Sequence, residues 1–328
     1  MPLSDDPKTN ESAKDILGVF KDLAGGPKPG FRPAHAKGLL VQGTFVPTPA
    51  AASLSRAPHF TNGAGTPVLV RFSSSTGHPT LPDSDPNGNP RAIALRFVLA
   101  ETPRRKHTDI IAHSVPFFPA ATPDEALAFF RAVKGAGADP DTLTKHIAAH
   151  PAAQAFLAAP KPTPTAFAHE AFYALHAFKF TNADGKATYV RYRIVPVAGH
   201  KTLDADAAKA QPADFLYDGV RAQLAQGSGH TIEYDLVAQV AQDGDVTDDS
   251  TVHWPEEGPD ARQLVNLGRV TLDRLYGGGG GGGDEAAEQK YLIFDTVPRV
   301  DGVEASADPL IDLRAAVYII SGKERRAA

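Results

Sequence analysis

A succession of short strand-type runs, each closed by turn-forming residues, limits this chain more than any other feature. Residues 39–45, 67–73, 91–99 and 109–112 form a first group, and 176–181, 187–196, 229–241 and 269–273 form a second. Gly, Pro, Asn and Asp separate them, and Asn182-Ala183-Asp184-Gly185 has the composition of a hairpin turn. Runs this short cannot bury a core alone. Many short strands with a few inserted helices suggest an antiparallel barrel decorated by helices. Helical spacing interrupts the pattern at 13–23, which stops at Gly25-Gly26-Pro27, at 122–134 behind Thr122-Pro123-Asp124-Glu125, and from 139 to about 150. The fold class expected is α+β, a barrel with inserted and flanking helices. Residues 1–30 read as a helical arm and 31–328 as one barrel domain ending in a helix; no repeat of 20 to 50 residues is evident.

Composition narrows the chemistry. Cysteine is absent from all 328 residues, which excludes disulfides, thiolate metal sites, iron–sulfur clusters and cysteine nucleophiles. With a single Met as well, the chain suits contact with oxidants. A net charge of -5 and a longest basic run of only Arg104-Arg105-Lys106 argue against nucleic acid, and that run reads as a solvated loop. No spanning segment or apolar leader core is evident, so no membrane partner is expected. The cytoplasm is the default location, or the periplasm if a leader has been removed.

Several motifs read as ordinary structure. Asp83-Ser84-Asp85-Pro86-Asn87-Gly88 starts like a calcium loop, but Ala94 stands where a bidentate Glu is needed, so it is a turn. His146 and His150 could share a helix face, yet no Glu adjoins His146; a helix-end role suits them better. Gly277 to Gly283 lacks the Gly-Lys-Ser/Thr of a phosphate loop and reads as a floppy connection.

Three segments do not read that way. In Asp312-Leu313-Arg314-Ala315-Ala316-Val317-Tyr318, helical spacing returns Arg314 and Tyr318 to one face. A guanidinium beside a phenol favours the phenolate, a hard anionic ligand suited to ferric iron. In Phe31-Arg32-Pro33-Ala34-His35-Ala36-Lys37-Gly38 a histidine is fixed between a proline and a glycine. Val70-Arg71-Phe72-Ser73-Ser74 is a strand whose arginine, if buried, must find an anionic partner.

Taken in order, these segments resemble the haem catalase family. Arg32 to Gly38 is similar to the segment with the distal histidine, His35. Arg71-Phe72-Ser73 is similar to the strand supplying a propionate-binding arginine and the serine that holds that histidine. Pro90 to Phe97 resembles the next barrel strand, and His176 to Phe180 the hairpin near the haem edge. The run from Phe294-Asp295 to Tyr318 resembles the proximal helix and its approach, with Arg325 at the spacing of a third haem-contacting arginine. Phe118 falls on a distal-side aromatic. An ungapped match over Asp109 to Ser114 puts His113 where the family has its distal asparagine.

The resemblance implies haem b buried in the barrel, with Tyr318 on the iron, Arg314 keeping it ionised, and Arg32, Arg71, Phe118 and Arg325 as further cofactor contacts. His35, Ser73 and His113 are the implied catalytic set. The short N-terminal arm and the lack of a wrapping segment and C-terminal helical region bring the chain nearer to small catalase-related peroxidases than to full catalases. Those departures weaken the case for an NADPH site and a deep tetramer but leave room for a homo-oligomer. Peroxide and a small organic reductant are the expected partners. Peroxidase activity on hydrogen peroxide or organic hydroperoxides, with weak or no catalase activity, is the expected function. One alternative is a hydroperoxide-rearranging enzyme like the catalase-type allene oxide synthases, which carry Thr where Ala34 stands here. The others are a non-catalytic haem-binding module and a barrel for another apolar ligand.

Overall fold

The structure is a computed structural model, describing residues 2–277 and 285–328. Eight strands close into an antiparallel barrel in the ring order β1-β2-β3-β4-β5-β7-β8-β9. They are β1 (Gly38–Pro47), β2 (Thr66–Ser73), β3 (Ala92–Ala100), β4 (Lys106–His113), β5 (Phe172–Tyr173), β7 (Ala187–Pro196), β8 (Ile232–Val240) and β9 (Leu264–Leu275). Two further strands, β6 (Phe178–Thr181) and β10 (Val303–Ala305), extend the sheet beyond β7. All eight strand runs expected from the sequence appear, and Asn182 to Gly185 forms the β6–β7 turn, with Thr181 opposite Ala187. The sequence reading did not include β5, which is two residues long and too short for a period-2 signal.

Strand alternation divides the wall. Val41 and Phe45 of β1, Val70 and Phe72 of β2, Ile93, Leu95 and Phe97 of β3, and Ile110 of β4 point inward and are buried. Their aromatic rings mesh, with Phe72 stacked on Phe167 at 4.7 Å and Phe45 edge-on to Phe97 at 5.1 Å. Gly43 sits at the irregularity in β1 because a Cβ there would lie 1.9 Å from the Thr271 carbonyl of β9. The barrel interior is thus filled by side chains.

Seven helices of seven residues or more flank the barrel among the described residues. These are α1 (Pro7–Leu23), α2 (Pro123–Gly135), α3 (Pro140–Ala149), α4 (Pro151–Ala158), α5 (Phe215–Ala225), α6 (Glu285–Tyr291) and α7 (Pro309–Ala327). Thr122 caps α2 by accepting from the Glu125 N–H at 3.3 Å, as its sequence implied. Ala13, Ile16 and Val19 of α1 pack with Ala126 and Leu127 of α2 and Leu310, Leu313 and Ala316 of α7. The 83–88 segment is a turn, with Asp85 accepting from Asn87 N–H at 2.8 Å. Its first residue Asp83 is fully buried, however, and pairs with Lys37 at 2.7 Å. His146 and His150 stack at 4.0 Å at the α3 end, where His150 Nδ1 meets the His146 carbonyl. Residues 101–106 are exposed, as read. Most of the glycine run, from 278 onward, lies outside the described residues.

Candidate active site

The main cavity lies between the outer face of the barrel wall and helices α1, α2 and α7, with a volume of about 840 Å³. This corrects the expectation of a cofactor inside the barrel, since that interior holds packed side chains. Parity explains the placement: Arg71 and Ser73 alternate with the inward Val70 and Phe72, and Ala92 and Ala94 with Ile93 and Leu95. Ala92 and Ala94 keep this stretch of wall low, where larger side chains would fill the space.

His35 reaches the cavity from the loop before β1. It is the one non-glycine residue with a left-handed backbone among those described, at φ 58°. Such a backbone costs on the order of 1–3 kcal/mol and persists only when its surroundings impose it. Here they do. Its N–H donates to the Ser75 carbonyl at 3.1 Å, and Ala36 N–H to Thr76 at 2.9 Å. Arg71 Nη2 donates to the carbonyls of His35 and Ala36 at 3.0 and 3.2 Å. Gly38 leaves room for that guanidinium, because a Cβ there would lie 2.2 Å from Arg71 Nη2. Ser73 Oγ lies 3.2 Å from His35 Nδ1. Burial, then the charges of Arg71, Arg314 and Arg32, push the imidazole down to about 3, with the Ser74 backbone pulling weakly the other way. His35 is therefore a neutral imidazole at neutral pH.

Tyr318 and Arg314 line the cavity from α7, four residues apart. Tyr318 packs on the small cluster of Leu40, Leu69, Leu292 and Phe294 outside the barrel. Arg314 projects its field onto His35, His113 and His176, and no hydrogen bond joins it to Tyr318 among the described residues. His176 escaped the sequence reading as a site residue. It is buried, and its Nδ1 meets Asp308 Oδ2 at 2.7 Å, while Asp308 Oδ1 caps α7 by accepting from Leu310 N–H at 2.9 Å. One carboxylate thus starts the helix bearing Tyr318 and holds an imidazole whose other nitrogen, Nε2, is buried without a partner beside Arg314. The pair spans 132 residues of chain, so no local pattern could announce it.

Three guanidinium groups gather at one edge. Arg32 donates to the Leu292 carbonyl at 3.0 Å. Arg71 Nε donates to Gln289 Oε1 at 2.8 Å. Arg325 donates to the Leu292 carbonyl at 2.9 Å and to Ser321 Oγ at 3.1 Å. None of the three forms an ion pair with a carboxylate among the described residues. Burial first, then Arg71 and Arg325, pushes Arg32 down, and burial brings Arg71 and Arg325 each down to about 10. Arginine does not give up its proton in a protein, so this marks clustered positive charge awaiting an anion.

Phe118 lines the cavity as expected, 6.3 Å from Phe130 and 6.4 Å from Phe156. His113 is placed one step aside. It lies opposite Ala92 at the end of β4, with Nδ1 accepting from Val115 N–H at 3.2 Å, and is not itself part of the cavity wall. Burial, then Arg314 and His35, push it down to about 3.

A phenol, an imidazole and three guanidinium groups without carboxylate partners thus converge on one cavity of cofactor size. That donor set fits an iron tetrapyrrole with two carboxylate arms. The catalase family model matches residues 30–327. The chain belongs to the catalase family. A catalase-related peroxidase of Mycolicibacterium paratuberculosis is 34% identical over 309 residues, covering 92% of this chain and 91% of its own length. One from Synechococcus elongatus is 30% identical over 306 residues, covering 90% and 84%. A fungal catalase structure superposes with a TM-score of 0.76 at 22% identity, over 91% of this chain and 59% of that one. This catalase-family chain is a peroxidase acting on peroxide, and its family is haem-dependent. Among the described residues, no helix is long and apolar enough to cross a membrane.

Proposed function

We propose that residues 31–328 hold haem b in the main cavity, closed by the helix of the 1–30 arm, and use it to reduce hydrogen peroxide or organic hydroperoxides with small organic donors. The observation that carries this reading is the sharing of one cavity by Tyr318, the His35–Ser73 pair and an arginine-rich edge. Tyr318 Oη would hold the iron, with Arg314 one helical turn before it on α7. Arg32, Arg71 and Arg325 would hold the two propionates, for which arginine's fixed fork of donors is well matched. Bound there, haem supplies a Lewis-acidic, redox-active iron at which an O–O bond can break.

The chain's own part is proton management. With Nδ1–H donated to Ser73 Oγ, His35 keeps a free lone pair on Nε2. That nitrogen takes the peroxide proton and returns it to the departing oxygen, typically worth ~10²–10⁴-fold. The neutral state of His35 makes it competent as the base across neutral pH. Phe118, Phe129, Phe130 and Phe156 line the same cavity and keep bulk water from it.

The choice between disproportionation and donor oxidation rests on the distal partner. With His113 in place of the family's amide, and set just behind the cavity wall at the end of β4, no amide reaches a second hydrogen peroxide from that position and donor oxidation dominates. The test compares oxygen evolution from hydrogen peroxide with oxidation of a dye donor, after absorbance spectroscopy has shown a Soret band. Vigorous oxygen release with little dye turnover would reverse the assignment.

A further inference from the structure

A second cavity of about 520 Å³ lies behind the arginine edge. The two share Arg32, and the partition between them is thin. Gln289 Nε2 donates to the Gly38 carbonyl at 3.1 Å while its Oε1 accepts from Arg71 Nε. Gln289 and Gly38 both line the second cavity, whereas Arg71 lines only the main one. One layer of side chain therefore separates it from the edge where Arg71 and Arg32 stand.

Its lining has two characters. Phe31, 48% exposed, stands with Tyr217, Pro79 and Ala36 as aromatic and apolar surface. Around them are Arg32, Lys37, Arg221 and Lys290, with Asp214 as the one acidic residue of the wall among the described residues. Lys37 is matched by Asp83 and Asp214 at 2.7 and 2.6 Å, and Arg221 by Asp218 at 3.1 Å. Arg32 is given to the propionates in the reading above, and Lys290 has no carboxylate partner among the described residues, so the uncommitted positive charge of this wall is that of Lys290. Aromatic faces beside an uncommitted cation suit a planar, negatively charged ring.

Building on the peroxidase reading above, we infer that this second cavity is the electron-donor site, selective for anionic aromatic reductants such as phenols bearing a carboxylate or sulfonate. The phenol ring packs against Phe31, and its anionic group faces Lys290. Electrons would cross the one side-chain layer at Gln289 toward the group held beside Arg71, so the donor need not enter the peroxide cavity. Each phenol gives up one electron and one proton. Two of them reduce one hydroperoxide to an alcohol and water, and two phenoxyl radicals leave.

The test uses holoenzyme with 4-hydroxybenzenesulfonate and the uncharged 4-methylphenol, comparing wild type with Lys290→Glu and with Phe31→Ala. Neither side chain takes part in haem binding or proton transfer. Two readouts are taken: donor KM at saturating peroxide, and donor Kd by calorimetry on the resting enzyme. Lys290→Glu should raise KM and Kd for the sulfonate about tenfold, equivalent to about 1.4 kcal/mol. It should leave 4-methylphenol and the KM for peroxide within twofold. Phe31→Ala should weaken both donors severalfold. Added salt should weaken wild-type binding of the sulfonate alone. Sulfonate binding unchanged in both variants would overturn the donor site, whatever the turnover. Sulfonate binding that responds as expected, with no oxidation of either phenol, supports the site and overturns the peroxidase reading instead.

Discussion

The two faces of β2 and β3 show opposite uses of one wall. Inward, Val70, Phe72, Ile93, Leu95 and Phe97 fill the barrel with fully buried apolar surface. Outward, Arg71, Ser73, Ala92 and Ala94 leave a cavity and spend stability on clustered charge. Neighbouring residues in sequence therefore answer to different demands. The inner face makes the wall rigid, and the outer face uses that rigidity to hold His35 in a backbone few residues adopt.

The sharpest break in this comparison would come at Tyr318. Tyr318→Phe removes the phenol oxygen that α7 brings to the cavity and that the proposed reading places on the iron, so the Soret band and peroxide consumption should both fall to background, with the fold intact by circular dichroism. Retained pigment and turnover would remove the basis of the site. His35→Gln should keep pigment while slowing peroxide reduction by ~10²–10⁴-fold, measured in single turnover. The inner face should respond in the other currency. Phe72→Ala should lower stability by about 3–5 kcal/mol in urea, with activity per bound haem nearly unchanged. If activity per haem fell as far as it does in His35→Gln, the two faces would not be separable.

Acid sharpens the comparison further, because it reaches both faces. His35 and His113 beside the cavity and His59 among Phe60 and Phe97 at the barrel are each held down at about 3, against an ordinary 6.5, chiefly by burial. The unfolded chain therefore binds more protons than the folded one between those values, and stability should fall as pH drops through that window. Glu170, raised to about 8 by burial, opposes this above its ordinary 4.5, one group against three. Thermal midpoints of the apoprotein from pH 7 to pH 4 should decline, and a rise toward acid would break the reading. The smallest effect is at Ser73. Ser73→Ala should cost about tenfold in the peroxide step by freeing the His35 tautomer, with haem content and donor KM unchanged.

The barrel was legible because period-2 alternation and turn residues are local signals, and all eight runs read from them became strands. Arg71 and Ser73 were legible for a related reason: polar side chains two apart on an apolar strand must share a face. What escaped was set by tertiary pairing. His176 and Asp308 meet across 132 residues, and Gln289 reaches Arg71 across 218. The cavity's position outside the barrel was hidden too, because alternation assigns a residue to a face without saying which face a ligand takes.

Arg71 joins what a designer would keep apart. Its Nη2 secures the carbonyls of His35 and Ala36, and its Nε is committed to Gln289, while the group as a whole borders the space meant for an anionic arm. On the proposed reading, an anionic arm in that space would press on the same guanidinium that poses the base. Positions 38, 71 and 289 are mechanically linked, since a change at any one would disturb the hold of Arg71 on the loop that bears His35.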